Sequence, residues 1–360
     1  MSTRRCLWIT ACCSALLAGA APAQESDLSA PCQRPEVASS RDFCIAVAQT
    51  VASAQPQLGI LLAAGNPTPG TAGSDGLRLL GLPAVSVGVK VNGVLARLPD
   101  VIESDGRSGT VGEFEIVAPA LSGVATVQLF PGFAASPAVR GIGALDLIGT
   151  LTWLPFDAVG SDRFVRGSEF SYGIGARLGV LREGFTTPAV SLSVIRRDLG
   201  EVAAGSVCRR DDELATFVDS DDEFDFELGS CAGSGDPAEY GFGLVDWSGR
   251  AAVSKHLLGL GLAAGVGYDA FRSDLRFGLE ADCPSGVPGR CFARVSGLRA
   301  EADRWSAFGN ASFSATVFSV TAEVGWMQGD DPVTDFDEAR AQFDAGQGTW
   351  FGSVGLRVAL

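Results

Sequence analysis

The sequence predicts an all-β protein: a closed antiparallel transmembrane β-barrel with a small plug-like segment before it. From residue 83 onward, apolar residues alternate with polar or small ones, which is the period of a strand with two different faces. Many of these runs exceed the average strand length of about 5–6 residues and reach the ~9–11 residues that cross a bilayer. Their connections alternate between long and short, as in transmembrane barrels.

The N-terminus predicts export. Arg4 and Arg5 precede an apolar core at residues 7–17, and a small-x-small motif ending at Ala23 predicts cleavage after that residue. Residues 1–23 are therefore interpreted as a signal peptide. Lipidation at Cys12 is the alternative, but it would leave a much shorter apolar core.

Residues 24–82 predict either a plug or a periplasmic extension. Ser40 is placed to cap a short helix that carries Phe43, Val47 and Val51 on one face. Such a helix either fills the mouth of the barrel or lies outside it, without consequence for transport. No apolar run after the signal peptide approaches the ~20 residues of a membrane helix, so strands are predicted to cross the membrane.

Residues 83–360 are predicted to form the barrel. The ten expected strands are 83–97, 113–130, 140–154, 168–182, 188–199, 243–256, 258–282, 303–315, 317–328 and 347–360. Two of them, 113–130 and 258–282, are over-long. Bends near Pro119 and around residues 272–274 would split them, so ten to fourteen strands are possible.

With ten strands, all long connections fall on one side of the barrel. The long ones are 98–112, 155–167, 200–242, 283–302 and 329–346, and the short ones are 131–139, 183–187, 256–258 and 315–317. Tryptophans lie near strand ends, where an aromatic belt at the membrane interface would place them, although ordinary core or edge positions are the alternative. They are Trp153, Trp247, Trp305, Trp326 and Trp350.

Charge and cysteine content limit the partners and the compartment. The net charge of −15 becomes −17 once Arg4 and Arg5 leave with the signal peptide, which argues against nucleic acid. Six cysteines then remain, an even number that fits an oxidising compartment, although six cysteines allow fifteen pairings. The pairs closest in sequence are Cys32/Cys44, Cys208/Cys231 and Cys283/Cys291.

The C-terminus resembles the membrane-insertion signal of Gram-negative outer-membrane β-barrel proteins. Ser353 and Gly355 are followed by the apolar Val358 and Leu360, although that family usually ends in Phe. The resemblance implies an outer-membrane location, contact with outer-membrane lipid, and recognition by the barrel-assembly machinery.

A shorter resemblance lies upstream. Gly65, Asn66 and Pro67, followed by Pro83 and the first strand, resemble the passage from hatch to barrel in FadL-like long-chain fatty-acid transporters. Thr68 stands where that family tends to have Ala. The resemblance implies a plug at residues 65–67 and transport of a small solute, although turn chemistry alone also explains Asn-Pro and Gly.

The polar faces of the strands predict the residues that line the lumen. Charged residues on these faces are Lys90, Arg177, Arg197, Arg250, Arg304 and Arg357, and Asp146, Asp246, Asp269 and Glu323. They form either a structural ionic network, since a narrow barrel is filled by side chains, or a constriction that selects solutes. Ten strands favour the network, and fourteen favour the constriction.

No enzyme, metal or cofactor site is expected. His256, the only histidine, would need a serine nucleophile and an orienting partner. The loop 200–242 carries twelve acidic residues but lacks the central glycine of an EF-hand, so a solvated loop is favoured over a calcium site. The sequence therefore predicts a passive channel, or a barrel that binds or transports a small, even hydrophobic, solute. A closed barrel that acts through acidic extracellular loops is the alternative.

Overall fold

The computed structural model describes fourteen segments of the chain. They are residues 30–33, 41–73, 84–100, 112–136, 140–155, 166–167, 169–205, 216–218, 224–228, 238–257, 259–282, 290–315, 317–329 and 346–359. The expectations for the signal peptide, Ser40, Cys208, Cys231, Cys283, Leu360 and most of the acidic loop lie outside these residues, as does the side chain of Cys291.

Ten antiparallel strands close into a barrel. They are β1 (Val85–Asp100), β2 (Gly112–Phe130), β3 (Ala144–Trp153), β4 (Phe170–Leu181), β5 (Ala189–Ala204), β6 (Ala238–Leu257), β7 (Leu260–Asp282), β8 (Arg290–Ala315), β9 (Phe318–Gly329) and β10 (Thr349–Ala359). Each pairs with its neighbours in sequence, and β1 pairs with β10 from Ser86 opposite Ala359 to Val94 opposite Phe351. The predicted fold class is confirmed.

Neither over-long strand splits. The split considered at Pro119 does not occur, because Pro119 pairs in register with Gly93 within continuous β2. The pairing of β7 with β8 instead shifts between Leu275 and Phe277, just beyond the expected bend. A bulge absorbs one residue without ending a strand. The strand count therefore stays at ten.

The connections after β1, β3, β5, β7 and β9 are together longer than those on the other side, but the lengths do not alternate as strictly as predicted. The connection 131–143, expected to be short, is longer than the connection 101–111, expected to be long. The expected loop 283–302 is much shorter, because β8 begins at Arg290. The inner face of this extension is apolar, with Leu298 and Ala300 buried, but its outer face carries Arg299 and Glu301. Those charges face water above the membrane and conceal the alternation. Two short strands, Thr216–Val218 and Phe224–Leu228, add to the start of β8, and Arg166–Gly167 pairs with β5.

The outer face of the barrel is an apolar belt bounded by tryptophans. All five predicted tryptophans are at least 36% exposed and lie toward the long connections, as expected of an interface belt. Eight residues separate Trp305 from exposed Phe313 on β8, and Trp326 from exposed Phe318 on β9. Eight residues extend about 27 Å along a strand, or about 20 Å of barrel height at the usual tilt. This height is close to that of the apolar band on the outer surface of a transmembrane barrel.

The N-terminal segment occupies the inside of the barrel. Helix α1 (Arg41–Ala63) buries Phe43, Val47 and Val51, and the predicted disulfide Cys32–Cys44 is present. Two expectations need correction. The helix is 23 residues long rather than short, and it is long and apolar enough to cross a membrane. Polar residues interrupt its apolar runs, which is why the sequence did not indicate it.

Candidate functional site: the plugged lumen

The structure places all ten charged lumen candidates on the inner wall. Each is at most 8% exposed, and within the described residues they are the complete set of buried charged side chains. We call these ten residues the charged belt. On the side of the long connections, the wall beyond the belt is mainly apolar, with Val94, Leu199, Phe242, Leu244, Phe271, Leu275 and Met327, although Thr152, Ser171 and Ser273 are also buried there. On the side of the short connections it is mainly polar, with Ser86, Gln128, Ser191, Ser254, Ser312 and Thr321.

Three ion pairs join neighbouring strands within the belt. Arg177 and Asp146 face each other on β4 and β3, and their side chains lie 2.7 Å apart. Arg197 of β5 lies 2.7 Å from Asp246 of β6. A third pair, Arg250–Asp269, also has a distance of 2.7 Å between side chains. Burial makes an unpaired charge costly, so this pairing fits the first of the two predicted alternatives, a structural ionic network.

The other belt residues are also buried in the wall. Arg304 of β8 lies opposite Asp269 of β7 in the strand register. Arg357 of β10 donates a hydrogen bond to the hydroxyl of Ser319 at 3.4 Å. Each of the strands β7 to β10 therefore carries a belt residue, with Glu323 on β9.

The end of helix α1 is held by two belt cations. Arg250 Nη2 donates to the carbonyl of Ala63 at 2.6 Å, and Lys90 Nζ donates to the carbonyl of Ala64 at 3.1 Å. The last carbonyls of a helix lack partners within the helix and favour positive charge. Gly65 then leaves the helix with a φ of 79°, and a side chain there would collide with Glu323. The wall thus supplies the caps that the helix end needs.

The predicted plug motif lies at the belt, inside the lumen. We call residues 64–73 the plug loop. The backbone N–H of Asn66 donates to both carboxylate oxygens of Glu323 at 3.1 Å. The Asn66 side chain accepts from the N–H of Thr68 and donates to the carbonyl of Thr71, both at 3.1 Å. Asn66 therefore shapes the plug loop and places its backbone against the wall.

Thr68 has a role of its own. Its hydroxyl accepts a hydrogen bond from Arg177 Nη1 at 2.8 Å, so the plug loop is joined to the Arg177–Asp146 pair. This is the position at which the FadL-like pattern tends to have Ala. The departure from that pattern adds a contact between plug and wall.

Sequence reasoning missed the uncharged residues that hold the plug loop. Asn310 donates to Glu323 at 3.1 Å, Ser254 accepts from the N–H of Ala72 at 2.9 Å, and Ser312 donates to the carbonyl of Gly70 at 3.4 Å. All three alternate onto the inner face. This alternation is visible in the sequence, but only the charged residues of the inner face were predicted to line the lumen.

His256 lies at the edge of the barrel near the short turns. Its ring Nδ1 lies 2.7 Å from Glu183 Oε2, and its backbone N–H donates to Glu183 Oε1 at 2.6 Å. Lys255 donates to the carbonyl of Phe185 at 2.9 Å. These contacts hold the turn between β4 and β5. The ring of His256 and the Ser312 hydroxyl both border Gly261, where a side chain would collide with them.

No protein family and no curated protein matches the chain. Solved structures do match. The translocator domain of the autotransporter NalP from Neisseria meningitidis is 12% identical, over 86% of this chain and 96% of that one, with a TM-score of 0.29. An outer membrane channel from Pseudomonas putida F1 is 9% identical, over 78% and 97%, with a TM-score of 0.30. The Pseudomonas putida toluene transporter TodX is 10% identical, over 81% and 96%, with a TM-score of 0.27.

These TM-scores are below 0.5, so the assignment rests on the chain's own geometry. That geometry is an even number of antiparallel strands, a closed ring, an apolar outer belt and a polar inner belt. The chain is therefore a β-barrel of the outer-membrane type whose lumen holds its own N-terminal segment.

Proposed function

We propose that this protein is an outer-membrane channel for a small solute, closed at rest by its plug loop and by the end of helix α1. The observation that carries the proposal is the way in which the plug is attached. Hydrogen bonds join the plug to four belt residues, which are Lys90, Arg177, Arg250 and Glu323. Each of these bonds involves a charged side chain and contributes about 1.5–3 kcal/mol, and water can take its place when the plug loop moves. The plug loop is therefore the movable part.

Loss of the contacts of Arg250 and Lys90 would free the helix end and the plug loop together. Arg250 bonds to the carbonyls of Ala63 and Gly65, and Lys90 bonds to those of Ala64 and Asn66. The same two side chains thus cap α1 and anchor the plug loop. Movement of the plug loop removes the caps and loosens the last turn of the helix.

The wall beyond the belt favours an uncharged or hydrophobic solute. An ion would have to pass apolar side chains such as Leu199, Phe242 and Phe271, which cannot replace its hydration. A small apolar or neutral molecule does not meet that barrier. The proposed solute class rests on this contrast between the two halves of the lumen.

A closed barrel that acts through its surface loops is the second candidate. The observation in its favour is the burial of α1, since Val47, Val51, Ile60, Leu61 and Leu62 are at most 3% exposed. Each such side chain contributes about 1.5–3 kcal/mol, so withdrawal of the whole helix would cost roughly 8–15 kcal/mol. If passage required the entire helix to leave, the barrel would stay closed.

A reversible cross-link between the plug loop and the wall distinguishes the candidates. A Cβ placed on Gly355 of β10 would lie 3.4 Å from Cβ of Pro69, close to the spacing of a disulfide. The variant with Pro69→Cys and Gly355→Cys is reconstituted in liposomes, and permeation of small neutral solutes is measured by swelling. The channel proposal expects passage after reduction of the cross-link and none after its oxidation.

The two single-cysteine variants are the matched controls, and neither should respond to oxidation. Equal passage through the oxidised and reduced double variants would show that the plug loop does not gate the channel. No passage through the wild-type protein or any reduced variant would establish the closed barrel instead. We propose no catalytic role for His256, whose contacts hold a turn.

A further inference from the structure

We infer that the N-terminal segment runs through the barrel from the outer face to the periplasmic face, so that the turn Ala30–Gln33 lies at the cell surface. The Cys32–Cys44 disulfide joins this turn to the start of α1. The inference concerns the path of the chain and does not depend on whether any solute passes.

The path of residues 59–72 can be followed against the paired strands β6 and β7. A Cβ at Gly59 would lie 2.6 Å from the ring of Phe271. Four residues later, the carbonyl of Ala63 accepts from Arg250, which pairs with Gly267. The N–H of Ala72 donates to Ser254, which pairs with Ala263.

These three contacts advance steadily toward the short turns. From Phe271 to Ala263 is eight residues of β7, or about 27 Å along the strand. Two other contacts agree, since Gly70 reaches Ser312 and Thr321, both on the short-turn side of the belt. The chain then enters β1, whose first residue, Val85, lies at the same end of the barrel.

Upstream of Gly59 the chain must lie toward the long connections. Helix α1 begins at Arg41, 18 residues before Gly59, and 18 helical residues rise about 27 Å. Pro56 can kink a helix but does not reverse it. The helix contacts β6 and β7, and it shares one buried cluster with Phe242, Leu275 and Leu279. Those side chains lie at or beyond the level of Phe271, toward the long connections.

The long connections of such barrels face the outside of the cell, and the short turns face the periplasm. The start of α1, with the disulfide-bound turn, therefore lies at the outer face. A segment delivered to the periplasm by export has then crossed the outer membrane through its own barrel. Pro31 and Cys32 of the turn are buried, whereas Ala30 and Gln33 are exposed, so other molecules can reach the turn at these two residues.

Epitope insertion tests this path in living cells. The same short epitope is inserted at one of three sites: directly before Ala30, in the long connection 156–165, or between Phe185 and Thr186 in the short turn. Antibody binding is compared between intact and permeabilised cells, and heat-modifiable electrophoretic mobility shows that each barrel has folded. We expect the epitopes before Ala30 and in the long connection to bind antibody equally on intact cells. The epitope in the short turn should require permeabilisation, with at least a tenfold difference in signal.

The inference is overturned if the epitope before Ala30 binds antibody only after permeabilisation while the epitope in the long connection binds on intact cells. This outcome leaves the channel proposal standing, because permeation is measured separately. Conversely, a barrel that passes no solute but shows the N-terminal epitope on intact cells supports the inference and contradicts the channel.

Discussion

Replacing Arg250 with Met removes the main attachment of the plug. Arg250 donates to the Ala63 carbonyl at 2.6 Å, to the Gly65 carbonyl at 3.3 Å and to Asp269 at 2.7 Å. Loss of one member of a buried pair costs a protein about 3–5 kcal/mol. The two bonds to the plug, at about 1.5 kcal/mol each, account for roughly 3 kcal/mol of its attachment. At about 1.4 kcal/mol per factor of ten, the displaced plug should become about 100-fold more populated.

Arg197→Met is the matched control. Arg197 also pairs with one buried aspartate, Asp246, but its second hydrogen bond is to Ser248 of the wall rather than to the plug. Both variants should lose similar stability against denaturant. In liposomes, only the Arg250 variant should pass a small neutral solute faster than the wild-type protein does, by about two orders of magnitude. Equal passage through the two variants, or no passage through either, would refute the reasoning that Arg250 holds the plug.

Three further predictions follow from the outer face, the disulfide and the turn. Val324→Arg, on the lipid side of β9, should cost about 2–4 kcal/mol, whereas Gln328→Arg beyond the tryptophan belt should cost about 0–1 kcal/mol. Unfolding by urea measures both, and equal costs would contradict a lipid-facing β9. Replacing Cys32 and Cys44 with Ser should lower the free energy of unfolding by about 3 kcal/mol, because their separation of 12 residues closes a short loop. An unchanged unfolding midpoint would argue against that cross-link. His256→Ala should change no esterase or lipase activity, so an activity present in the wild-type protein and lost in the variant would restore the enzyme hypothesis.

The strands and their faces were predictable because lipid imposes a strict alternation. A strand between lipid and lumen must place apolar residues such as Val87 and Val89 outside, and its charges must turn inward. For that reason all ten charged residues of the belt could be named from the sequence. The start of β8 could not, because above the membrane the outer face meets water and Arg299 and Glu301 replace apolar residues there.

The path of the plug through the barrel could not be predicted from the sequence either. From Phe43 onward, the described side chains of helix α1 are buried or half-buried, so its apolar residues are not confined to the face of Phe43, Val47 and Val51. The contacts of the plug loop use backbone groups, for example the N–H of Asn66 and the carbonyl of Ala64. Backbone groups are the same in every residue, so no pattern of side chains identifies them.

The composition of helix α1 bears on how the protein reaches its destination. During export, a segment long and apolar enough to cross a bilayer risks stopping in the inner membrane. Near the middle of α1 stand Gln55, Pro56 and Gln57, and both amide atoms of Gln55 are buried without a hydrogen-bond partner in the described part of the chain. In the folded barrel, the unpaired amide of Gln55 lowers the stability of the protein. During export, the amides of Gln55 and Gln57 and the ring of Pro56 disfavour insertion of the helix into the inner membrane. The residues that lower the stability of the folded barrel therefore help the chain to reach the outer membrane.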